Sequence, residues 1–146
     1  VSVIVDTSVW SLALRRADAR LQKAQAEVVR ALSHLIDNSG VLLLNKVRQE
    51  LLTGVKSPEQ FTKLREVLRS FPEIKTGCDD FELAAELSNL ARTKGIQASP
   101  VDSFIWAVCR RLDAPLFTLD RDFQRLSKIA KIRFWDGFQG KAWLER

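Results

Sequence analysis

Four short apolar runs punctuate this chain: "VIV" (3–5), "VLLL" (41–44), "PLFTL" (115–119) and "IRFW" (132–135). Between them apolar residues recur at helical spacing, as in Leu21, Ala24, Val28, Leu32 and Leu35. Short apolar strands separated by helices build a parallel sheet covered on both faces, with right-handed crossovers. The expected fold is therefore α/β. With 146 residues, 46% of them hydrophobic, the chain has enough apolar mass for one compact domain over 1–146. No repeat or long polar linker divides it.

Local signals place the helices. One starts near Thr7 or Ser8, and a second runs to about Asn38, where "NSG" stops it. Asn45 is a candidate cap for a helix closed by Gly54, and Ser57, Pro58 and Gln60 form a capping-box start. "FPEIKTG" offers a short edge strand around 73–75. Asp79 or Asp80 opens a helix to about Lys94, ended by Gly95; Pro100 begins the helix over 99–112, and "DRDFQRLSKIA" is helical.

Composition narrows the chemistry. There is one histidine, His34, in a helical run, and no tyrosine. Histidine-based triads and zinc sites are thus disfavoured. Cys78 and Cys109 cannot make a disulfide framework and are expected to be buried thiols. No run approaches the about 20 apolar residues of a membrane span, and no signal peptide is visible at the start. A cytoplasmic protein is expected, with no membrane association.

What remains is carboxylates. In open α/β sheets ligands bind beyond the carboxyl ends of the strands. Asp6 directly follows "VIV", Asp120 directly follows "PLFTL", Glu50 lies in the helix leaving "VLLL", and Asp102 lies in the first turn of its helix. Each also has a purely structural reading. Asp6 and Asp120 can open helices, Asp102 fits a capped helix start, and Glu50 can pair with Lys46 four residues earlier. Gathered together, however, the acids repel one another, and a divalent cation is their natural partner. An all-oxygen donor set suits Mg²⁺ or Mn²⁺. Such an ion activates water for phosphodiester hydrolysis without help from histidine. Thr7, Ser8, Ser103 and Thr118 adjoin the acids and are candidates for orienting them, or for capping and strand-end hydrogen bonds.

The net charge is +5, which eases contact with a polyanion. Arg15, Arg16, Arg20 and Lys23 follow the first acid; Arg121, Arg125, Lys128, Lys131 and Arg133 follow the last. They are candidates for phosphate contact or for an ordinary solvated surface. Trp10 and Trp106 are expected in the core or at an oligomer interface.

The segments "VIVDTSVW", "VRQELLTG" (47–54), "SPVDSFIWAVCRR" (99–111) and "FTLDRDF" (117–123) together resemble the PIN domain family, and within it the VapC-type toxin ribonucleases. The resemblance implies a three-layer α/β/α fold with a central parallel sheet of four to five strands. It implies an acidic pocket for Mg²⁺ or Mn²⁺ and endonucleolytic cleavage of RNA. Asp6, Glu50 and Asp102 match the first three acids of the family. Asp120 is the expected fourth, with Asp122 a possible additional acid. A homodimer and a cognate VapB-type antitoxin are implied as partners. Where the family is often small and Ala-rich after the third acid, this chain carries Phe104, Ile105 and Trp106. Two other readings are an aspartyl-phosphate phosphatase built on "VIVDTS" and a non-catalytic binding module. The first wants a second acid two residues after Asp6, where Ser8 stands.

Overall fold

The computed structural model describes residues 2–136 apart from 16–20, and only the backbone of Arg15. Arg16, Arg20 and the Arg15 side chain, named above as candidate phosphate contacts, lie outside the described residues. The elements are β1 (Val3–Val5), α1 (Thr7–Arg15), α2 (Lys23–Asp37), β2 (Val41–Leu42), α3 (Asn45–Leu52), α4 (Pro58–Arg69), α5 (Cys78–Thr93), α6 (Pro100–Leu112), β3 (Leu116–Phe117) and α7 (Asp122–Ile129).

The three strands are parallel, in the order β2-β1-β3, with Val3 opposite Val41, Ile4 opposite both Leu42 and Leu116, and Val5 opposite Phe117. Single parallel bridges extend the sheet at each edge, Leu43 to Glu73 and Leu116 to Phe134. The five positions, counted in chain order, therefore run 3-2-1-4-5. This is a doubly wound arrangement, and its order reverses between β1 and β3. Successive residues of β1 point to opposite faces, yet Val3, Ile4 and Val5 are all fully buried. Both faces of the sheet are therefore covered. The helices fall into two contacting groups: α1 with α2 and α3, and α3 with α4; then α5, α6 and α7 with one another. This is a three-layer α/β/α domain.

The outer strands are shorter than their apolar runs. "IRFW" and the segment at 73–75 each contribute one bridge. At the first, side chains take over from the ladder. Arg133 is held by Asp113, and Ser127 Oγ lies 3.3 Å from both the amide and the carbonyl of Ile132. At the other edge Asn45 is the first residue of α3 rather than its cap. Its side-chain amide donates to Glu73 Oε1 at 3.0 Å, tying helix to sheet edge. The helix stops are as expected at Gly54 (φ 87°) and Gly95 (φ 76°), where a left-handed backbone suits glycine. In "NSG" the left-handed residue is Ser39.

Helix α6 is the central helix. Residues Ser103 to Cys109 are buried without interruption, as in a helix covered on all sides. The bulky Phe104, Ile105 and Trp106 fit because Trp106 is fully enclosed and its indole N–H donates to the carbonyl of Ala130 at 2.7 Å. Trp10 is core as well, edge-on to Phe71. Cys109 is buried, but Cys78 is exposed at the first position of α5, against the expectation of two buried thiols. His34 is exposed, beside Asn38. No helix among the described residues is long and apolar enough to cross a membrane.

Candidate active site

The reversal of strand order between β1 and β3 opens the sheet where a ligand site is expected in a doubly wound fold. Asp6 leaves β1 there with its amide bonded to the Phe117 carbonyl at 2.9 Å, so it is anchored to β3 from the outset. Its side chain is buried. Two hydroxyls hold it: Ser8 Oγ donates to Asp6 Oδ2 at 2.8 Å, and Thr118 Oγ1 donates to the same oxygen at 2.7 Å. Each hydroxyl has one proton to give, and both are directed at Asp6. Their lone pairs then accept backbone amides. Leu119 N–H donates to Ser8 Oγ and Asp120 N–H donates to Thr118 Oγ1, each at 3.0 Å. One network thus fixes Asp6 and the turn that carries Asp120.

Asp120 Oδ1 accepts the amide of Asp122 at 2.9 Å, at the start of α7. Asp102 arrives from the other direction, on the first turn of α6. That helix is capped by Ser99, whose hydroxyl accepts the Asp102 amide at 3.1 Å. Asp102, Asp120 and Asp122 each place a carboxylate oxygen within 4.8 Å of the others. The electrostatic consequence falls on Asp102, whose carboxyl is pushed up from 3.8 to about 6. Burial is the largest cause, then the negative charges of Asp120 and Asp6; the Ser99 hydrogen bond opposes them and Asp122 adds to them. Only Asp122 of the three has an ion-pair partner among the described residues, Arg125 at 3.7 Å and largely in solvent. The cluster is short of positive charge.

Of the acids expected here, Asp6, Asp102, Asp120 and Asp122 converge. Glu50 does not join the cluster. It is exposed on α3, where Val47 and Leu51 take the buried face. It lines an adjoining depression of about 480 Å³ together with Thr7, Lys46 and Val101, the residue before Asp102. No Glu50–Lys46 ion pair forms among the described residues. Of the hydroxyls, Ser8 and Thr118 touch Asp6. Ser103 instead donates to the Ser99 carbonyl at 2.9 Å, and the buried Thr7 Oγ1 has no hydrogen-bond partner. Burial pushes the Cys109 thiol up to about 12, with Asp6 adding to the shift. A thiol so disfavoured for ionisation is not a nucleophile.

In the metal-free protein Asp102 is a built-in cost. Its folded pKa lies above its unfolded value, so the folded state gains nothing from ionisation and loses stability as pH rises from 3.8 towards 6. Two pKa units correspond to about 2.7 kcal/mol. Asp102 is only partly buried, and solvent screening reduces this to about 1 kcal/mol. Asp102→Asn is therefore expected to stabilise the protein by about that amount near neutral pH in chelator. The gain should shrink as pH falls below the Asp102 pKa, and urea denaturation at several pH values measures it. A variant less stable than wild type across the range would show that neither burial nor the neighbouring acids penalise the Asp102 carboxylate.

Comparison with known proteins places the fold. The PIN domain family model matches residues 3–129. Among solved structures, VapBC from Salmonella typhimurium, determined bound to DNA, aligns at TM-score 0.72 and 18% identity, covering 93% of this chain and 98% of that one. VapBC2 from Rickettsia felis, bound to a promoter DNA fragment, aligns at TM-score 0.71 and 20% identity, covering 92% and 98%. FitAcB from Neisseria gonorrhoeae aligns at TM-score 0.66 and 18% identity, covering 92% and 96%. At these identities the likeness is one of fold. No curated protein matches the chain in sequence. The family match spans most of the chain, from the first strand to the last helix, and includes all the acids gathered at the sheet edge: the chain belongs to the PIN domain family.

Proposed function

We propose that this chain is a divalent-cation-dependent endoribonuclease, the toxin of a VapBC-type toxin–antitoxin pair. The observation that carries the reading is the cluster of Asp102, Asp120 and Asp122, with Asp6 beside it and too little positive charge to balance them. The donor set is all oxygen, which suits Mg²⁺ or Mn²⁺. Asp6, Asp102 and Asp120 would hold the ion, with Asp122 adjacent, while Glu50 stays exposed on α3 and lines the neighbouring depression. Such an ion, when bound, lowers the pKa of a coordinated water and neutralises charge on phosphate oxygens.

The protein's own groups do the rest. Ser8 and Thr118 fix the rotamer of Asp6, so its free oxygen is presented in one direction. Ser99 holds the start of α6 and with it Asp102. The same network disfavours an aspartyl-phosphate mechanism. Asp6 is buried, and its Oδ2 already accepts two hydroxyl protons, which lowers its nucleophilicity. Ser8, at the position where that mechanism wants a second acid, is one of the donors.

The partners follow from the neighbours in fold. VapBC and FitAcB structures support a cognate VapB-type antitoxin for this chain; a homodimer acting in the cytoplasm completes the reading and rests on the family resemblance alone. The test is an RNA digest with the purified protein. Cleavage is expected with Mn²⁺ or Mg²⁺ and should vanish with EDTA, with cleavage ends mapped. Cleavage that survives chelation would overturn the metal-dependent reading.

A further inference from the structure

A groove of about 510 Å³ runs between α5 and the first turns of α6, lined by Lys46, Phe81, Ser88, Arg92, Val101 and Phe104 among others. Lys46 and Val101 line both this groove and the depression that holds Glu50. The groove thus runs into the Glu50 depression, and both are lined by Val101, the chain neighbour of Asp102. Its lining is largely apolar, with neutral Ser88, Gln97 and Ser103, and its two charged residues, Lys46 and Arg92, are both cationic. No carboxylate lines it, although α5 also carries Glu82 and Glu86. None of the ion pairs among the described residues uses Lys46 or Arg92.

Phe81 distinguishes the groove from a merely basic surface. Phe81 is 52% exposed, and its ring stands against the buried Phe104 at 4.6 Å between centroids, with the planes tilted by 34°. An aromatic ring that is supported from behind and open in front costs hydrophobic stabilisation unless something covers it. Ring platforms flanked by cations are how proteins hold single-stranded nucleic acid, because every base has a π-face and every linkage a charge. A duplex offers its phosphates but keeps its bases stacked on one another.

We propose that this groove holds single-stranded RNA leading away from the acid cluster, with a base stacked on Phe81 and backbone phosphates contacted by Lys46 and Arg92. The inference rests on the ribonuclease reading for its substrate and adds the strand's path and single-stranded form. The two cations, unpaired among the described residues, and the position of Val101 beside Asp102 favour RNA over a second copy of the chain or a peptide.

Binding measured without metal tests the groove separately from cleavage. A labelled single-stranded RNA is titrated in EDTA and followed by fluorescence anisotropy. Phe81→Ala should weaken binding roughly tenfold, and Phe81→Trp should retain it. Lys46→Gln and Arg92→Gln should each weaken binding and flatten the slope of log affinity against log salt by about 0.7. The Phe81 effect should be absent with duplex RNA. Unchanged single-strand affinity in Phe81→Ala, with unchanged salt slopes in the two charge variants, would overturn the proposal. So would variants that alter sedimentation of the protein but not its RNA affinity, which would make the groove a protein contact. RNA bound through the groove but never cut with Mn²⁺ would overturn the nuclease reading and leave the groove standing.

Discussion

Asp6→Asn is expected to leave a folded protein whose RNA cleavage in Mn²⁺ falls at least about hundredfold, more than the loss typical when only a supporting partner of a metal ligand is removed. The fold should survive because the substitution keeps the shape of a buried side chain and one carbonyl oxygen. That oxygen can still accept from Ser8 and Thr118, whose protons are both directed at Oδ2. The amide nitrogen must then occupy the other position, the one a carboxylate would turn towards the acids. A donor there cannot bind a cation. Cleavage assays check the rate, and the thermal transition checks the fold. Full activity in Asp6→Asn would remove Asp6 from the site. A variant that unfolds would instead be read through Asp102→Asn, a half-buried member of the cluster that is expected to lose cleavage while gaining stability in chelator.

Asp6 and Asp120 were legible because a residue directly after a buried parallel strand must emerge at the sheet's carboxyl edge. Topology then makes β1 and β3 neighbours, which brings the two acids to one stretch of that edge. Asp102 was legible from its place in the first turn after a Ser-Pro start. Glu50 shows the limit. Strand position does not transmit through a turn and a half of helix, and α3 settles with Val47 and Leu51 inward and Glu50 in solvent. Thr7 and Ser103 show another. Adjacency in sequence does not choose a hydroxyl's partner, and Ser103 bonds back within its own helix. The edge strands were legible as apolar runs but not in extent. How far a ladder continues depends on side-chain clamps such as Arg133 to Asp113.

The pairing of Arg111 with Asp80 had no signature in the sequence at all, because it joins residues 31 positions apart. It is also where a single surface-ward substitution should do most damage. Asp80 is 3% exposed, in the first turn of α5. Its carboxylate accepts the Gly77 amide at 3.1 Å and both Nε and Nη2 of Arg111, near the end of α6. The same guanidinium donates to the Lys75 carbonyl at 2.9 Å. One fork therefore ties the incoming loop and the start of α5 to α6. These two helices make the most extensive helix contact among the described elements, and α6 carries Asp102. Arg111→Met keeps much of the side chain's apolar length but leaves a buried carboxylate with one amide for a partner. Breaking a buried pair costs about 3–5 kcal/mol. Because the arginine is partly exposed, solvent can reach the vacated position, so about 2–4 kcal/mol is expected. Set against a typical domain stability of about 5–15 kcal/mol, that is a large fraction. Urea midpoints at unchanged slope measure it. Adding Asp80→Leu to Arg111→Met should recover much of the loss, because no buried charge then remains unpaired. If Arg111→Met alone shifts stability by less than about 0.5 kcal/mol, as an ordinary surface change would, the fork does not hold α5 to α6.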